Sequence, residues 1–444
     1  MTLTSNFFYK HRDDLLFVAL GGANKIGLNV SLYHYLGKWL MIDCGSGYVN
    51  ARSNKLIIPD LTFIEKNRDN LLGLIITHAH EDHIGAIAYT WNMLKCPIFA
   101  TAFAISILKN HLKDTRFFKE IRFIPITHNK SVSIGPFVLE FYPVPHSIVE
   151  SQAIAIRTKA GNIFHTGDWK YDTSPIIGST INENSLAKYG REGILAIVSD
   201  SHGIFDLKKS ISESEIVKSL YGIVSQCKGM VLLTTYPSNI ARIAGIINIA
   251  EKIDKKIVIS GTQILQTLYL AKKSGYLTKI KNLIHESKIH NFKREEIVVI
   301  ASGCDGESTE AVASIALNKH KNIKLLPGDN VIFSSKITLR NTAKLNKIMT
   351  VLTQSGIHVI TERDNLVHTH GHSTSIDIKK IYELLKPKIC IPVHGTDLHL
   401  KQHQILAKEC QIQHTFKTSN GDVISLNSVS PKVIAHIPTG VFAI

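Results

Sequence analysis

The segment THAHEDHIG, residues 77–85, constrains the fold of this chain more than any other stretch. His78 and His80 are separated by one residue, a period that suits a strand end or a tight loop. Zinc-binding helices instead follow the pattern H-E-x-x-H. The run LLGLII before the segment predicts a buried strand, and IGAIAYTWNMLK after it has helical apolar spacing. The segment therefore lies between a strand and a helix, a usual place for a site in an α/β protein.

The composition is that of a globular protein in a reducing compartment. The chain has 444 residues, of which 44% are hydrophobic and 20% charged, so we expect two domains. No apolar run approaches the roughly 20 residues of a membrane helix, and the N-terminal segment lacks the order of a signal peptide. The six cysteines are scattered without a C-x-x-C pair, which argues against disulfides and a structural zinc finger. We expect a cytoplasmic protein with no membrane partner.

The positive charge of the chain is concentrated in its middle. The net charge is +15, and residues 201–355 contain 22 lysines and arginines against 12 aspartates and glutamates. A basic region can gather phosphates by electrostatic steering and counterion release. A solvated, lysine-rich surface explains the charge equally well. The charge therefore indicates phosphate binding only if a site that cuts phosphate esters lies beside it.

Strand and helix signals divide the chain into three parts. Residues 1–204 contain many short β-rich runs and few long helices, which predicts a sheet-rich sandwich. Residues 205–355 alternate strands with helices, which predicts βα units on a parallel sheet. In residues 356–444 short strands return, beginning with IHVITE. The layout predicts one domain, formed by the first and last parts, that is interrupted by an inserted domain.

Further histidines and aspartates fall at predicted strand ends, beside glycine or proline. A single histidine is more often structural than a ligand, but a set of this size is hard to explain by packing. Neutral imidazoles and carboxylates suit zinc or manganese, and two such ions about 3.5–4 Å apart can clamp a phosphoryl oxygen. The positions are His146, Asp168, His368, His370, His372 and His394.

The order of these residues resembles the motifs of a known superfamily. Asp43, then HAHEDH, then His146 and Asp168 resemble the four motifs of the metallo-β-lactamase superfamily. The later segments SDS, HTHGH and PVHG, which contain Asp200, His372 and His394, resemble motifs A, B and C of its β-CASP nucleases. Segments such as LGGANKIGLN, HTGDWKYDTSP, TTYPSNIARI and GDNVIFSSKI resemble the ribonuclease J-like branch in the same order.

The resemblance implies a fold and a metal centre. The fold would be α/β, an αββα metallo-β-lactamase sandwich with an inserted β-CASP α/β domain on a mainly parallel sheet. The cofactors would be two divalent ions, with zinc as the first expectation and manganese as the alternative. The implied ligands are His78, His80 and His146 for one ion, Asp82, His83 and His394 for the other, and Asp168 between the two ions.

The same resemblance implies roles for residues around the ions. Asp43 would bind neither ion itself but would orient the residues that do. His372 would act as a hydrogen-bond or proton donor at the scissile phosphate, and Asp200 would position it. His368 is a second candidate for that role. The implied catalytic residues are Asp82, Asp168, Asp200, His368 and His372.

Two further segments are expected to contact RNA. The segment SGCDGES resembles the glycine-rich loop that lies near the RNA path in the family, although an ordinary strand-to-helix turn is an equal alternative. The segment TTYPSNIAR places polar residues at a predicted helix start, where backbone N–H groups favour phosphate. The expected phosphate contacts are Ser238, Asn239, Arg242, Ser302, Gly303, Gly306, His372 and Ser373.

Several positions depart from the usual residues of the family. Motif A continues as SDSHG, with His202, instead of SDSTN, and His370 stands where motif B usually has serine. Asp305 replaces a glutamine in the glycine-rich loop, where a carboxylate would repel phosphate unless it is turned away. The sequence ends at Ile444, about where relatives enter a linker and a C-terminal domain. We therefore expect that this domain is lacking, which leaves both a monomer and a homodimer open.

The leading interpretation is a metal-dependent ribonuclease of RNA processing and decay. It would act on single-stranded RNA, mainly as a 5′-to-3′ exonuclease, with endonucleolytic cleavage as a second mode. The alternatives are a DNA nuclease or another β-CASP hydrolase, and a non-catalytic RNA-binding subunit. His394 argues against DNA, because Artemis-type DNA nucleases resemble one another in having an apolar residue there. The complete ligand set argues against the non-catalytic subunit.

Overall fold

The first part of the chain forms short strands with few helices, as the sequence predicts. The computed structural model describes residues 5–49, 55–304, 310–338, 341–427 and 429–444. The strands of the first part are β1 (Leu16–Gly21), β2 (Val30–Tyr35), β3 (Lys38–Ile42), β4 (Gly47–Tyr48), β5 (Leu56–Pro59), β6 (Leu71–Ile75), β7 (Ile98–Ala100), β8 (Phe123–Pro125), β9 (Ser131–Ile134), β10 (Phe137–Pro143), β11 (Gln152–Thr158), β12 (Gly161–His165) and β13 (Ile194–Asp200). The helices are α1 (Ser5–Lys10), α2 (Thr62–Lys66), α3 (Glu81–Ile84), α4 (Ile87–Leu94), α5 (Ala102–Leu112) and α6 (Glu183–Arg191).

The middle and last parts contain longer helices. The middle part consists of α7 (Glu213–Gln226), β14 (Val231–Thr234), α8 (Ile240–Lys252), β15 (Lys256–Ser260), α9 (Thr262–Lys273), β16 (Ile297–Ala301), α10 (Ala311–Ala316), β17 (Asn330–Phe333), α11 (Thr342–Gln354) and β18 (His358–Ile360). The last part consists of α12 (Ser375–Leu385), β19 (Ile389–Val393), α13 (Asp397–Glu409), β20 (His414–Thr415), β21 (Asp422–Ser425), β22 (Lys432–His436) and β23 (Val441–Ala443). In the described part of the chain, no helix has the length and apolar character needed to cross a membrane.

Two large sheets pack face to face. One has the strand order β22-β21-β1-β2-β3-β6-β7-β8, and the other has the order β20-β19-β13-β12-β11-β10-β9. Successive side chains of a strand point to opposite faces, so Phe17 of β1 lies in the core between the sheets while Leu16 and Val18 pack under the outer helices. Helices α6, α12 and α13 cover the outer face of the second sheet. The layers confirm the predicted αββα sandwich.

The middle part forms a separate, fully parallel sheet of five strands with the order β15-β16-β14-β17-β18. Helices α7, α8 and α9 pack on one face, and α10 and α11 pack on the other. Parallel sheets need this cover because both faces are apolar. The strand β18 corrects one expectation, since IHVITE pairs with β17 of this sheet instead of returning to the sandwich. The proposed division at residues 205 and 355 stays a prediction.

The strand order brings the predicted site residues to one edge of the sandwich. Asp168, Asp200 and His394 lie at or just after the ends of β12, β13 and β19, which are parallel neighbours. Asp43 and His78 lie just after β3 and β6, which are parallel neighbours in the other sheet. Parallel neighbours end at the same edge of a sheet, where ligands bind in α/β proteins.

We predict that the core between the two sheets dominates the stability of the sandwich. Phe141 of β10 is fully buried in this core. Phe141→Ala should lower the free energy of unfolding by about 3–5 kcal/mol, because it leaves a cavity. Val138→Ala on the outer face of the same strand should cost about 1 kcal/mol or less. The urea midpoint of each variant measures this, and equal midpoints would contradict the assignment.

Candidate metal centre

Three histidines form the first group of donors. The Nδ1 atom of His80 lies 3.1 Å from the Nε2 atoms of both His78 and His146. Burial lowers the pKa of His80 to about 4 and that of His146 to about 3, and it holds the pKa of His78 well below its usual value. The three imidazoles are therefore neutral at pH 7, the state in which histidine binds a metal.

The second group of donors consists of Asp82, His83, Asp168 and His394. The Nε2 atoms of His83 and His394 lie 3.2 and 3.6 Å from Oδ2 of Asp168, and His83 Nε2 lies 3.7 Å from Asp82. The same Asp168 oxygen is 3.9 Å from His78 Nε2. The Asp168 carboxylate therefore lies between the two groups of donors.

Opposite pKa shifts show how strongly Asp168 interacts with its neighbours. Burial alone would raise the pKa of Asp168, but His394 and His83 outweigh it and hold this pKa well below its usual value. Burial alone would lower the pKa of His83, but Asp168 and Asp82 raise it well above its usual value. Each group stabilises the charged form of the other, as expected for an acid and a base in contact away from water.

In each histidine of the two groups, the ring nitrogen that points away from the other donors forms a hydrogen bond. Opposite a carboxylate, a carbonyl or an amide oxygen the ring nitrogen donates, which leaves the other nitrogen with a free lone pair when the ring is neutral. A hydroxyl partner can accept in the same way. The pairs are His83 Nδ1 with Asp43 Oδ2 (2.7 Å), His146 Nδ1 with the Gly371 carbonyl (2.6 Å), His394 Nδ1 with Asn29 Oδ1 (2.9 Å), His78 Nδ1 with Thr77 Oγ1 (3.0 Å) and His80 Nε2 with Ser238 Oγ (3.2 Å).

The two groups fit divalent ions. The donor atoms within each group lie no more than 4.8 Å from one another, and they are nitrogens and carboxylate oxygens. These are the donors that zinc and manganese take in proteins. The outward hydrogen bonds fix the tautomers that a metal needs, so the chemistry and the orientation of the residues both fit.

Unusual backbone geometry positions several of these residues. Asp43 and His394 have positive φ angles of 60° and 56°, which few residues other than glycine adopt. Such strain is common at functional sites. Gly45 allows the THAHEDHIG segment to pass close by, since a Cβ atom there would lie 1.6 Å from the carbonyl oxygen of Asp82.

A histidine and an aspartate lie beside the donor groups. His372 Nδ1 is 2.8 Å from Asp200 Oδ2 and 3.9 Å from Asp168 Oδ2. Burial, and after it Asp168, raises the pKa of Asp200 well above its usual value, whereas burial and His202 lower the pKa of His372. The structure thus brings the predicted His372 and Asp200 together at the centre.

Sequence reasoning missed the role of His202. Its ring stacks on that of His372, with centroids 4.1 Å apart and an interplanar angle of 12°, and its backbone N–H donates to Asp200 Oδ1 at 2.8 Å. His202, His372 and His394 also form a close group of ring nitrogens. The departure SDSHG from the usual motif was the available signal. Asn29 was missed as well, because a single asparagine in a turn carries no signal.

The structure corrects one expected phosphate contact. The Arg242 side chain is fully buried, and its guanidinium forms an ion pair with Glu213. It also donates to the Val367 carbonyl at 3.0 Å and to Ser334 Oγ at 2.5 Å. These partners use the guanidinium inside the protein, so it does not face a phosphate. Asn239 has a structural role too, because its side chain caps α8 by accepting the Arg242 N–H at 2.9 Å.

His368 and the other expected phosphate contacts lie in several different places. His368 lies outside the donor groups found in the described residues, and its ring centroid is 6.4 Å from that of Tyr236. Ser302 donates to the Glu310 carboxylate, Gly303 has a φ of 105°, and Ser373 is fully buried. Gly306 and Asp305 lie outside the described residues. In the described part of the chain, His368 is therefore not a member of the donor groups.

Comparison with known proteins agrees with this arrangement. Residues 27–195 match the metallo-beta-lactamase superfamily, residues 228–352 match the ribonuclease J beta-CASP domain, and residues 356–415 match the Zn-dependent metallo-hydrolase RNA specificity domain. A ribonuclease J of Sinorhizobium meliloti is 35% identical over 437 residues, which cover 96% of this chain and 77% of that protein. The chain belongs to the ribonuclease J family.

Two further similarities concern the family and the fold of this ribonuclease J homologue. A ribonuclease J of Synechocystis is 30% identical over 434 residues, which cover 96% of this chain and 68% of that protein. A crystal structure of an Enterococcus faecalis protein of unknown function superposes with a TM-score of 0.64 at 16% identity, over 93% of this chain and 99% of that one. The second similarity shows the fold alone. Together with the donor groups, the family assignment makes this ribonuclease J homologue a metal-dependent hydrolase.

We predict that Asp43 controls metal affinity through His83. Asn tolerates a positive φ, so Asp43→Asn should keep the backbone, but its amide nitrogen no longer accepts the hydrogen bond from His83 Nδ1. Loss of such an outer partner typically lowers metal affinity about 10–100-fold. Competition with a chelator measures the affinity, and a thermal melt verifies folding. Asp69→Asn, an exposed carboxylate, is the control; equal affinities in both variants would refute this role.

Proposed function

We propose that this protein is a metal-dependent ribonuclease that hydrolyses the phosphodiester bonds of single-stranded RNA. The proposal includes processive attack mainly from the 5′ end, with endonucleolytic cleavage as a second mode. The observation that carries it is the position of the Asp168 carboxylate between the two groups of donors, with His372 and Asp200 beside it. That arrangement suits a reaction in which negative charge develops on a phosphate.

The donor groups would hold two divalent ions, and zinc is the proposed metal because five of the seven donors in the two groups are imidazoles. When bound, such ions activate water and neutralise phosphoryl charge. Manganese is the alternative, since the same donors accept it. The residues that would hold the ions are His78, His80 and His146 in one group and Asp82, His83, Asp168 and His394 in the other.

His372 would act on the phosphate or on the leaving oxygen. Its Nδ1 atom is bonded to Asp200, which fixes the orientation of the ring. The raised pKa of Asp200 and the lowered pKa of His372, both caused first by burial, favour the state in which Asp200 holds the shared proton and Nδ1 accepts it. The N–H of the neutral ring is then at Nε2, which can donate a hydrogen bond to an oxygen of the substrate. His202 stacks on the ring from one side and restricts its rotation further.

A cavity beside the centre supports a path for a polynucleotide. Its volume is 440 Å³, within the range of ligand sites. The sandwich contributes His146 and Lys170 to its lining, and the middle part contributes Asn239 and Tyr276. RNA is preferred to DNA because the match to an RNA specificity domain, residues 356–415, includes both His372 and His394. A cytoplasmic location and a monomer or homodimer complete the proposal.

Digestion of defined substrates tests the proposed function. We expect release of mononucleotides from 5′-monophosphorylated RNA, slower release from 5′-triphosphorylated RNA, and little cleavage of single-stranded DNA. Asp82→Ala/His83→Ala should abolish all cleavage, because both side chains belong to the second donor group. Equal cleavage of DNA would overturn the RNA assignment. Activity retained by the double variant would overturn the metal mechanism.

The role of His372 gives a separate prediction. His372→Ala should lower kcat about 10²–10⁴-fold, the range for a lost general acid, while KM changes little. The metal content should stay that of the wild type, because His372 is not one of the proposed ligands. His436→Ala, an exposed histidine on β22, is the matched control. A fall in metal content together with kcat would make His372 a ligand instead.

A further inference from the structure

A row of four aromatic rings leads from the metal centre to the protein surface. We name it the ring row; it consists of His372, His202, His399 and Phe205. Neighbouring ring centroids are 4.1, 6.3 and 4.9 Å apart in this order. The His372 ring is hydrogen-bonded to Asp200 at the metal centre, and the Phe205 side chain is 53% exposed. The row therefore connects the expected position of the scissile phosphate with an exposed aromatic surface.

The loop that carries Phe205 is held firmly in place. Ile204 is buried, and a Cβ atom on Gly203 would lie 2.3 Å from the Ser373 carbonyl oxygen, so the loop passes directly against that segment. The Asp206 carboxylate lies 3.2 Å from His370 Nε2, and its carbonyl accepts the Ser375 N–H at 3.1 Å. The loop is thus anchored on both sides of Phe205, and the exposed ring is presented in a fixed position.

His399 is fixed in a similar way. Thr396 Oγ1 lies 2.7 Å from His399 Nδ1, and the Phe205 ring meets the His399 ring nearly edge to face at 72°. A single exposed phenylalanine is common on protein surfaces and by itself indicates nothing. Here the exposed ring joins an ordered histidine and continues inward to the catalytic His372.

The charge around the ring row suits a polyanion. Lys208 and Lys209 follow Phe205 in the same loop and are exposed. Lys336 of the middle part is exposed too. Cations beside aromatic rings are the usual composition of a surface that binds single-stranded nucleic acid.

We propose that Phe205 and His399 form a stacking site for one nucleobase of the RNA, on a nucleotide close to the scissile phosphate. This inference rests on the proposed ribonuclease function and adds a base-binding subsite to it. Unstacked bases of single-stranded RNA bind to aromatic and histidine rings irrespective of sequence, because every base has a π-face. The site would hold a substrate base while the phosphate lies at the donor groups, so it would contribute to KM more than to kcat.

The first test compares variants on unmodified RNA. Phe205→Ala should raise KM about tenfold, the scale of one lost base–aromatic stack, with kcat within about twofold of the wild type. Phe205→Tyr keeps a ring and should restore the wild-type KM. Leu207→Ala is the matched control, because Leu207 is 73% exposed in the same loop and has no place in the ring row. Thermal melts of all variants should coincide, since both side chains are exposed.

The second test locates the base. RNA oligonucleotides that carry one abasic ribose at successive positions should show one position where wild-type KM rises about tenfold. The KM of Phe205→Ala should not rise when the abasic ribose is at that position. The fluorescence of a 2-aminopurine at the same position should be quenched when the RNA binds to the wild type, and less so when it binds to Phe205→Ala.

The possible outcomes separate the two proposals. Cleavage of RNA by the wild type, with an identical KM and abasic profile in Phe205→Ala, would overturn the stacking site and leave the ribonuclease function standing. Absence of RNA cleavage by the wild type with either zinc or manganese would overturn both. A tenfold rise in KM for Leu207→Ala as well would overturn the stacking site, because it would assign the effect to the loop as a whole.

Discussion

The buried carboxylate of Asp168 and the imidazoles around it are the interaction on which the rest of the structure depends. Four donor nitrogens lie within 4.0 Å of its Oδ2 atom, and the side chain is almost inaccessible to water. Taking an ionised carboxylate out of water costs on the order of several kcal/mol unless it is paired. That cost is offset only if several strands and loops deliver their donors to one point. The parallel strand ends of both sheets make this convergence possible.

The middle part of the chain is joined to this centre through polar contacts. Ser238, which precedes α8, lies 3.2 Å from the outward nitrogen of His80, so a residue of the middle part touches a proposed metal ligand. Close by, the buried Arg242 pairs with Glu213 and bonds the Val367 carbonyl of the segment that leads back to the sandwich. An uncompensated charge in this place would be strongly destabilising, so Glu213 is needed to keep the guanidinium in the position from which it reaches Val367. Substrate binding between them would therefore act on an already ordered junction.

Much of the centre could be predicted from the sequence because its signals are local. The spacing of His78, His80, Asp82 and His83 reports a loop after a strand, and the later motifs appear as histidines beside glycine or proline. The contacts of the Arg242 side chain could not be predicted in this way. An arginine in the first turn of a helix looks the same whether it faces a phosphate or, as here, a glutamate 29 residues earlier. The strand IHVITE was assigned to the wrong sheet for a similar reason, since short apolar runs do not specify their partner.

Two of the departures from the usual motifs, His202 and His370, contact one loop. His202 stacks on His372 from within the loop, and His370 holds the loop from the other side through Asp206. The family resemblance implies a threonine and a serine at these two positions, and such side chains have no ring to stack. The donor groups meanwhile keep every ligand of the family pattern. Metal binding requires fixed donor types at fixed positions, whereas an exposed surface beside the donors can change its contacts with the substrate without loss of the metal. Differences among relatives in how they hold a nucleotide should therefore concentrate at this loop and spare the ligands.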